Sequence, residues 1–293
     1  MPELPDITIY VEALRERIAG QKIDAIRIVS PSLLRTADPP IDSAAGKTIV
    51  EVHRLGKQIL FALEDDFWLV FHLMIAGRFH WKQSGYRPNR KTTHAVFEFR
   101  AGTLVLTEAS SHKRASLHFL RGHEALSAFH RGGLELLESS KEEFRSALLR
   151  ENHTVKRSLT DPRLFSGIGN AYSDEILHRA RLSPLKWTSR LTEEEIAVLH
   201  QATRDVLTEW IARLRSQSTG AFPEHVTAFH AEMAAHGKFG QPCPICGTSI
   251  QRIVYANNEC NYCPRCQTDG KLLADRSLSR LLRDDWPKTI DEA

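Results

Sequence analysis

The chain has 293 residues, 42% of them hydrophobic and 26% charged, with a formal net charge of +3. That length accommodates more than one modest domain around a sizeable core, and the small net charge does not by itself identify a polyanionic partner. No apolar run approaches the roughly 20 residues of a bilayer span, and Pro, Glu and Asp stand at the N-terminus where a secretory signal needs basic then apolar residues. A cytoplasmic protein without membrane association is expected.

In chain order, Ile7, Tyr10, Val11, Leu14 and Ile18 fall on one stripe, which predicts an amphipathic helix from Asp6 to Ile18, ended by Gly20. Period-two patterns follow at Ile23 to Val29, Ile49 to His53, Gln58 to Leu63, Phe67 to Leu73, Ala95 to Arg100 and Leu104 to Thr107, with turn signals such as Ala101-Gly102 between them. They predict a β-sandwich. From about Glu142 helical periodicity takes over, at Glu143 to Arg150, Ala171 to Ala180 and Thr192 to Arg215, where Thr192 three residues before Glu195 predicts a capping box. The expected fold class is α+β and multidomain. Its expected divisions are an N-terminal sandwich flanked by helices over 1–130, a helical domain over 131–236, and a cysteine-rich segment with a C-terminal extension over 237–293. Leu272, Leu273, Leu278, Leu281 and Leu282 with Trp286 predict that this extension docks as an amphipathic tail.

Charge is unevenly placed. Between Arg145 and Arg190 nine Lys and Arg stand against four acids. A phosphate-binding face needs such a local excess, although a solvated helical face produces it as well.

All five cysteines lie between Cys243 and Cys266. Cys243-Pro-Ile-Cys246 and Cys263-Pro-Arg-Cys266, with sixteen residues between them, have the spacing of two knuckles presenting four thiolates to one tetrahedral Zn2+. Four protein ligands leave no open position for a catalytic water, so the predicted zinc is structural. Cys260 falls outside both pairs and is read as a packing residue. The segment Ser249 to Tyr262 has a β-hairpin pattern. A hairpin of this kind suits a DNA groove, while many zinc ribbons bind protein.

Between two helical stretches lies Gly167-Ile168-Gly169-Asn170, whose glycines permit close backbone approach ahead of a helix N-terminus, a ready anion site. On its own such a turn is a plain helix connection. In order along the chain, Met1-Pro2-Glu3-Leu4-Pro5, the run Gly167 to Glu175 and the four-cysteine ribbon together closely resemble the formamidopyrimidine-DNA glycosylase and endonuclease VIII family, from Pro2 to about Gln267. The resemblance implies an N-terminal β-sandwich, a helix-two-turn-helix domain and a C-terminal zinc-ribbon hairpin. Leu4 resembles the formamidopyrimidine branch.

What the resemblance implies is a monomeric, bacterial, nucleoid-associated DNA glycosylase with abasic-site lyase activity. Its partner would be double-stranded DNA carrying a damaged base or abasic site. Pro2, exposed by removal of Met1, matches the family's nucleophile; a terminal amine, with an ordinary pKa near ~8, keeps a useful neutral fraction at pH 7. Glu3 matches the acid/base residue and Lys57, in Leu55-Gly56-Lys57-Gln58, the loop lysine that meets phosphate beside the lesion. Lys156 and Asn170 match the phosphate-gripping pair. Met74 and Ile75, in His72-Leu73-Met74-Ile75-Ala76-Gly77, occupy the stretch that fills the gap left by a flipped nucleotide, where a buried strand residue is the competing reading.

Three departures stand out. The second wedge loop, Thr107 to Ser116, has no aromatic residue. Asn258 stands where the family has a phosphate-binding arginine, which removes a fixed charge and leaves open whether elimination stops at β or proceeds to β,δ. The chain also continues past the last cysteine. Two other readings fit the same sequence: a catalytically silent DNA-binding protein, and an enzyme retargeted to crosslinked, bulky or single-stranded damage.

Overall fold

The apolar stripe near the N-terminus folds as helix α1 (Leu4–Ile18), with Ile7, Tyr10, Val11, Leu14 and Ile18 all buried. The computed structural model describes residues 1–224, 226–255, 258–274, 280–281 and 287–292, with Tyr255 and Asn258 described by backbone alone. After α1 come eight antiparallel strands: β1 (Ala25–Ile28), β2 (Ile49–Leu55), β3 (Gln58–Leu63), β4 (Phe67–His72), β5 (Gly77–Lys82), β6 (Thr93–Phe99), β7 (Gly102–Glu108) and β8 (Ser116–Arg121). They form two four-stranded sheets, ordered β1-β6-β7-β5 and β2-β3-β4-β8. This is the predicted sandwich.

The sandwich is glued by aromatic rings that meet between the sheets. Phe71 of β4 lies 4.7 Å from Phe61 of β3 by ring centroid, and edge-on to Phe79 of β5 at 5.2 Å and Phe97 of β6 at 5.5 Å. Such tilted pairs add about 0.5–1.5 kcal/mol each beyond area burial. The opposite face of the second sheet, with Leu60, Trp68, Val70 and Leu120, is covered by Leu126 of helix α2 (His123–Ser127) and by Phe129. Strands β5 and β8 are not among the predicted ones. In β8, Leu117 and Phe119 face the core while Leu120 packs outward, so its burial breaks simple alternation.

Two compact units divide the chain: Met1–Arg131 with Trp210–Thr227, and Gly132–Glu209 with Ala228–Ala293. The division runs through α6 (Glu193–Gln217), which follows α3 (Lys141–Leu149), α4 (Val155–Thr160) and α5 (Asn170–Arg179). Thr192 and Glu195 form the predicted capping box, with reciprocal bonds of 3.0 and 3.2 Å. Strands β9 (Gln251–Tyr255) and β10 (Asn258–Tyr262) make the predicted hairpin, and α7 (Pro264–Thr268) carries the last cysteine.

The C-terminal extension returns to this end of the second unit. Lys271 bridges Thr289, Leu273 packs beside Ile253, Cys260 and Tyr262, and Leu273 N–H donates to Tyr262 Oη at 2.8 Å. Leu281, by contrast, is 77% exposed. Leu278, Leu282 and Trp286 lie outside the described residues. Among the described residues no helix is long and apolar enough to cross a membrane.

The turn joining β4 to β5 leaves no room at Gly77. An added Cβ would stand 2.2 Å from the Leu73 carbonyl oxygen, and that oxygen accepts the Gly77 N–H at 2.9 Å. Gly77→Ala should therefore force the turn open at a cost of about 1–3 kcal/mol, read as a lower urea midpoint with unchanged slope.

Candidate active site and metal centre

The start of the chain is held by reciprocal capping. Glu3 is the N-cap of α1; its N–H donates to Asp6 Oδ2 at 2.7 Å, and its own side chain receives the Asp6 N–H. Both carboxylates are buried, as is Pro2. The Met1 amine lies in the electrostatic neighbourhood of Glu3, Asp6, Lys57 and Arg78. Burial pulls the pKa of the Met1 amine below its ordinary value, Arg78 and Lys57 push the same way, and Glu3 and Asp6 oppose them.

Lys57 reaches this neighbourhood from a two-residue hairpin loop. Leu55 pairs with Gln58, and Gly56 takes φ 59°, the positive value that a tight hairpin demands at that position. Burial lowers the Lys57 pKa, again against Glu3 and Asp6. Pro2, Glu3 and Lys57 are thus brought together, with Asp6 and Arg78 as members that the sequence reading did not include.

Arg78 also organises the Met74-Ile75 turn. Its Nη1 donates to the carbonyls of Ile75 (3.0 Å) and Gly77 (2.6 Å), and Met74 adopts a left-handed backbone at φ 53°. Leu73 is buried, Met74 is half-buried and Ile75 is 56% exposed. Of the two candidate wedge residues, Ile75 presents the free apolar side chain. The second loop, after β7, is closed at its neck by buried Glu108, whose carboxylate accepts the N–H groups of Arg114 (3.0 Å) and Ala115 (3.3 Å) and lies 3.3 Å from His94 Nε2.

In the second unit Lys156 and Asn170 are neighbours. Lys156 Nζ donates to Asp174 Oδ1 (2.6 Å), Ser173 Oγ (2.9 Å) and the Asn170 carbonyl (3.1 Å). Gly169 caps α5, so Asn170 is its first helical residue, and its Nδ2 donates to the Glu259 carbonyl at 2.7 Å. Asp174 is fully buried; burial works to raise its pKa, but Lys156 and His236 prevail and hold it below the ordinary carboxylate value. Glu175 accepts the N–H groups of Ala234, Ala235 and His236 at 2.8–2.9 Å. Asn258 opens β10, and its side chain lies outside the described residues.

Much of the basic excess is paired internally: Arg145 with Glu193, Arg163 with Asp161, Arg179 with Glu209 and Lys186 with Glu195. The Sγ atoms of Cys243, Cys246, Cys263 and Cys266 all lie within 4.8 Å of one another, and none is in a disulfide. Two of the separations are 3.4 and 3.9 Å, against about 3.8 Å for thiolates around tetrahedral zinc with ~2.3 Å bonds. These residues fit one structural Zn2+, which would lock the two knuckles together. Cys260 stays apart, buried against Ile253 and Tyr262.

Residues 1–119 match the family model described as formamidopyrimidine-DNA glycosylase N-terminal domain, 135–221 its H2TH domain, and 240–268 the zinc finger found in FPG and IleRS. The Thermus thermophilus formamidopyrimidine-DNA glycosylase is 33% identical over 285 residues, which cover 92% of this chain and 100% of that protein. The chain belongs to the formamidopyrimidine-DNA glycosylase family. Among solved structures, MutM in complex with DNA containing carbocyclic 8-oxo-G has a TM-score of 0.81 at 29% identity, covering 91% of this chain and all of that one. The Lactococcus lactis Fpg in complex with abasic-site DNA has a TM-score of 0.80 at 29% identity, with 91% and 99% coverage.

Within this glycosylase fold, the sequence marks Asp6 only as the start of the first helix and His72 only as the first residue of the stretch containing Met74 and Ile75, while Arg78 carries no motif. Burial first, then Lys57, Arg131 and His118, lowers the His72 pKa from 6.5 to about 4. A histidine kept neutral stabilises the fold fully above about pH 6.5 and loses that contribution as pH falls toward 4. Over that window unfolding free energy should fall more steeply with acid in the wild type than in His72→Asn, measured by urea titration at each pH. Purified protein should hold one zinc per chain by atomic absorption. Cys263→Ser should lose the metal and the protease resistance of residues 237–274.

Proposed function

We propose that this chain is a bifunctional DNA glycosylase and abasic-site lyase of base-excision repair, acting on an oxidised base in double-stranded DNA through the amine of Pro2. The observation that carries the reading is the buried chain start surrounded by Glu3, Asp6, Lys57 and Arg78. Attack at the anomeric carbon needs an uncharged amine, and burial with two nearby cations favours that form.

The steps follow from the residues. The Pro2 nitrogen lone pair forms a bond to C1′ as the damaged base departs with the glycosidic electron pair. Opening of the sugar ring gives an iminium ion, and loss of a C2′ proton then expels the 3′ phosphate. Glu3, beside the nucleophile, gives and takes the protons, and Lys57 meets the phosphate flanking the lesion. Lys156 and Asn170 grip backbone phosphates, Ile75 with Met74 beside it fills the space vacated by the flipped nucleotide, and Asn258 contacts the backbone by hydrogen bonding alone.

The sandwich over 1–130 carries the chemistry, the helical domain over 131–236 holds the duplex, and the zinc ribbon with its extension, 237–293, adds a further DNA contact. The protein acts as a monomer in the cytoplasm, on the nucleoid. The relatives solved with 8-oxo-G and abasic-site DNA support this substrate class. A silent DNA-binding protein has no need of a buried, charge-tuned chain start.

Borohydride trapping on duplexes carrying oxidised purines, oxidised pyrimidines or an abasic site should give a covalent adduct with wild type. No adduct should form when Pro2 is preceded by an uncleavable extension, and Glu3→Gln should retain trapping at the abasic site while losing base release. Undiminished trapping with Pro2 blocked would move the nucleophile to a lysine.

A further inference from the structure

Asn170, Asp174 and His178 stand four residues apart on α5 and therefore share one face of the helix. Each reaches a different part of the cysteine-rich segment. Asn170 Nδ2 donates to the Glu259 carbonyl at 2.7 Å, and Asp174 Oδ2 accepts from Asn261 N (3.2 Å) and Nδ2 (3.3 Å) and pairs with His236 Nδ1 (2.8 Å). At the far end of this ladder His178 Nε2 lies 3.2 Å from Cys243 Sγ.

That last contact joins two buried groups: His178 and Cys243 are each 3% exposed. Four thiolates around one divalent ion leave the cluster with net negative charge, and a sulfur shut away from water needs a protein donor to offset it. Cys263 Sγ has one in the Cys266 N–H at 3.4 Å. For Cys243 the donor supplied by the fold is the His178 ring.

We propose that His178 is an outer-sphere positioning residue of the zinc centre, donating its Nε2–H to the Cys243 thiolate, and that through this rung zinc loading orders helix α5. That helix carries Asn170 and, through Asp174, holds Lys156, so metal occupancy sets the geometry of both. The inference rests on the four-cysteine zinc assignment and is independent of the chemistry at Pro2.

The test uses the full-length, zinc-loaded protein and a chromophoric chelator. His178→Phe removes the donor while keeping an aromatic ring, and should release zinc about ten- to a hundredfold faster than wild type. His178→Gln, whose amide can donate, should recover most of the slow release. Equal release rates for wild type and a folded His178→Phe protein would overturn the proposal.

Should the Phe variant not fold, wild type compared with His178→Gln decides. Nitrogen-15 spectra of its histidines should contain one Nε2-protonated ring, absent from His178→Gln, whose resonance moves when zinc is chelated. A Nδ1-protonated ring, or one indifferent to chelation, would overturn the assignment. Chelation should also speed amide hydrogen exchange across residues 170–179 in wild type, and unchanged exchange there would refute the coupling to α5.

Discussion

A chain end has only one covalent neighbour to hold it, and the N-terminal unit is organised around that constraint. The reciprocal cap between Glu3 and Asp6 replaces the missing tether by closing the first turn of α1 on itself. The apolar stripe of α1 then seats that turn on the sandwich. Tyr10 carries the registration further: its hydroxyl accepts the Phe79 N–H at 3.3 Å, so β5 and the chain start are fixed to one another. Since β5 begins at the Leu73–Gly77 turn and includes Arg78, the chain start and exposed Ile75 are referred to the same strand.

The second unit meets a different constraint, a carboxylate with no access to water. Asp174 is tolerable in the interior only because an ammonium, an imidazole and an amide converge on it. In satisfying them it joins α4, α5, the 234–236 segment and β10. Glu175, the next residue, points its carboxylate at three successive backbone N–H groups and so fixes the path of the chain entering the zinc ribbon.

The sequence disclosed features that depend on local spacing. The α1 stripe, the Thr192/Glu195 cap and the Cys-x-x-Cys pairs each depend on neighbours a few residues apart and appear where that spacing places them. It was silent where meaning comes from distant partners. Arg78 lies in an ordinary alternation and takes its role from carbonyls of the preceding turn and from a chain terminus 77 residues away in sequence. His178 looks like any helical histidine until Cys243, 65 positions later, is beside it. The basic excess from Arg145 to Arg190 misled in a different way, since a count of charges does not show which are answered by acids elsewhere, such as Glu193, Glu195 and Glu209.

Those internal pairs bear on how the protein moves along DNA. An arginine already facing a carboxylate brings no uncompensated charge to a phosphate and displaces few condensed counterions, so the affinity for undamaged duplex owes less to ion release than the local charge suggests. At the hairpin, Asn258 likewise brings no fixed charge. An excision enzyme whose hold on ordinary duplex relies little on ion release can leave one site for the next quickly, and its discrimination then falls where a nucleotide is extruded.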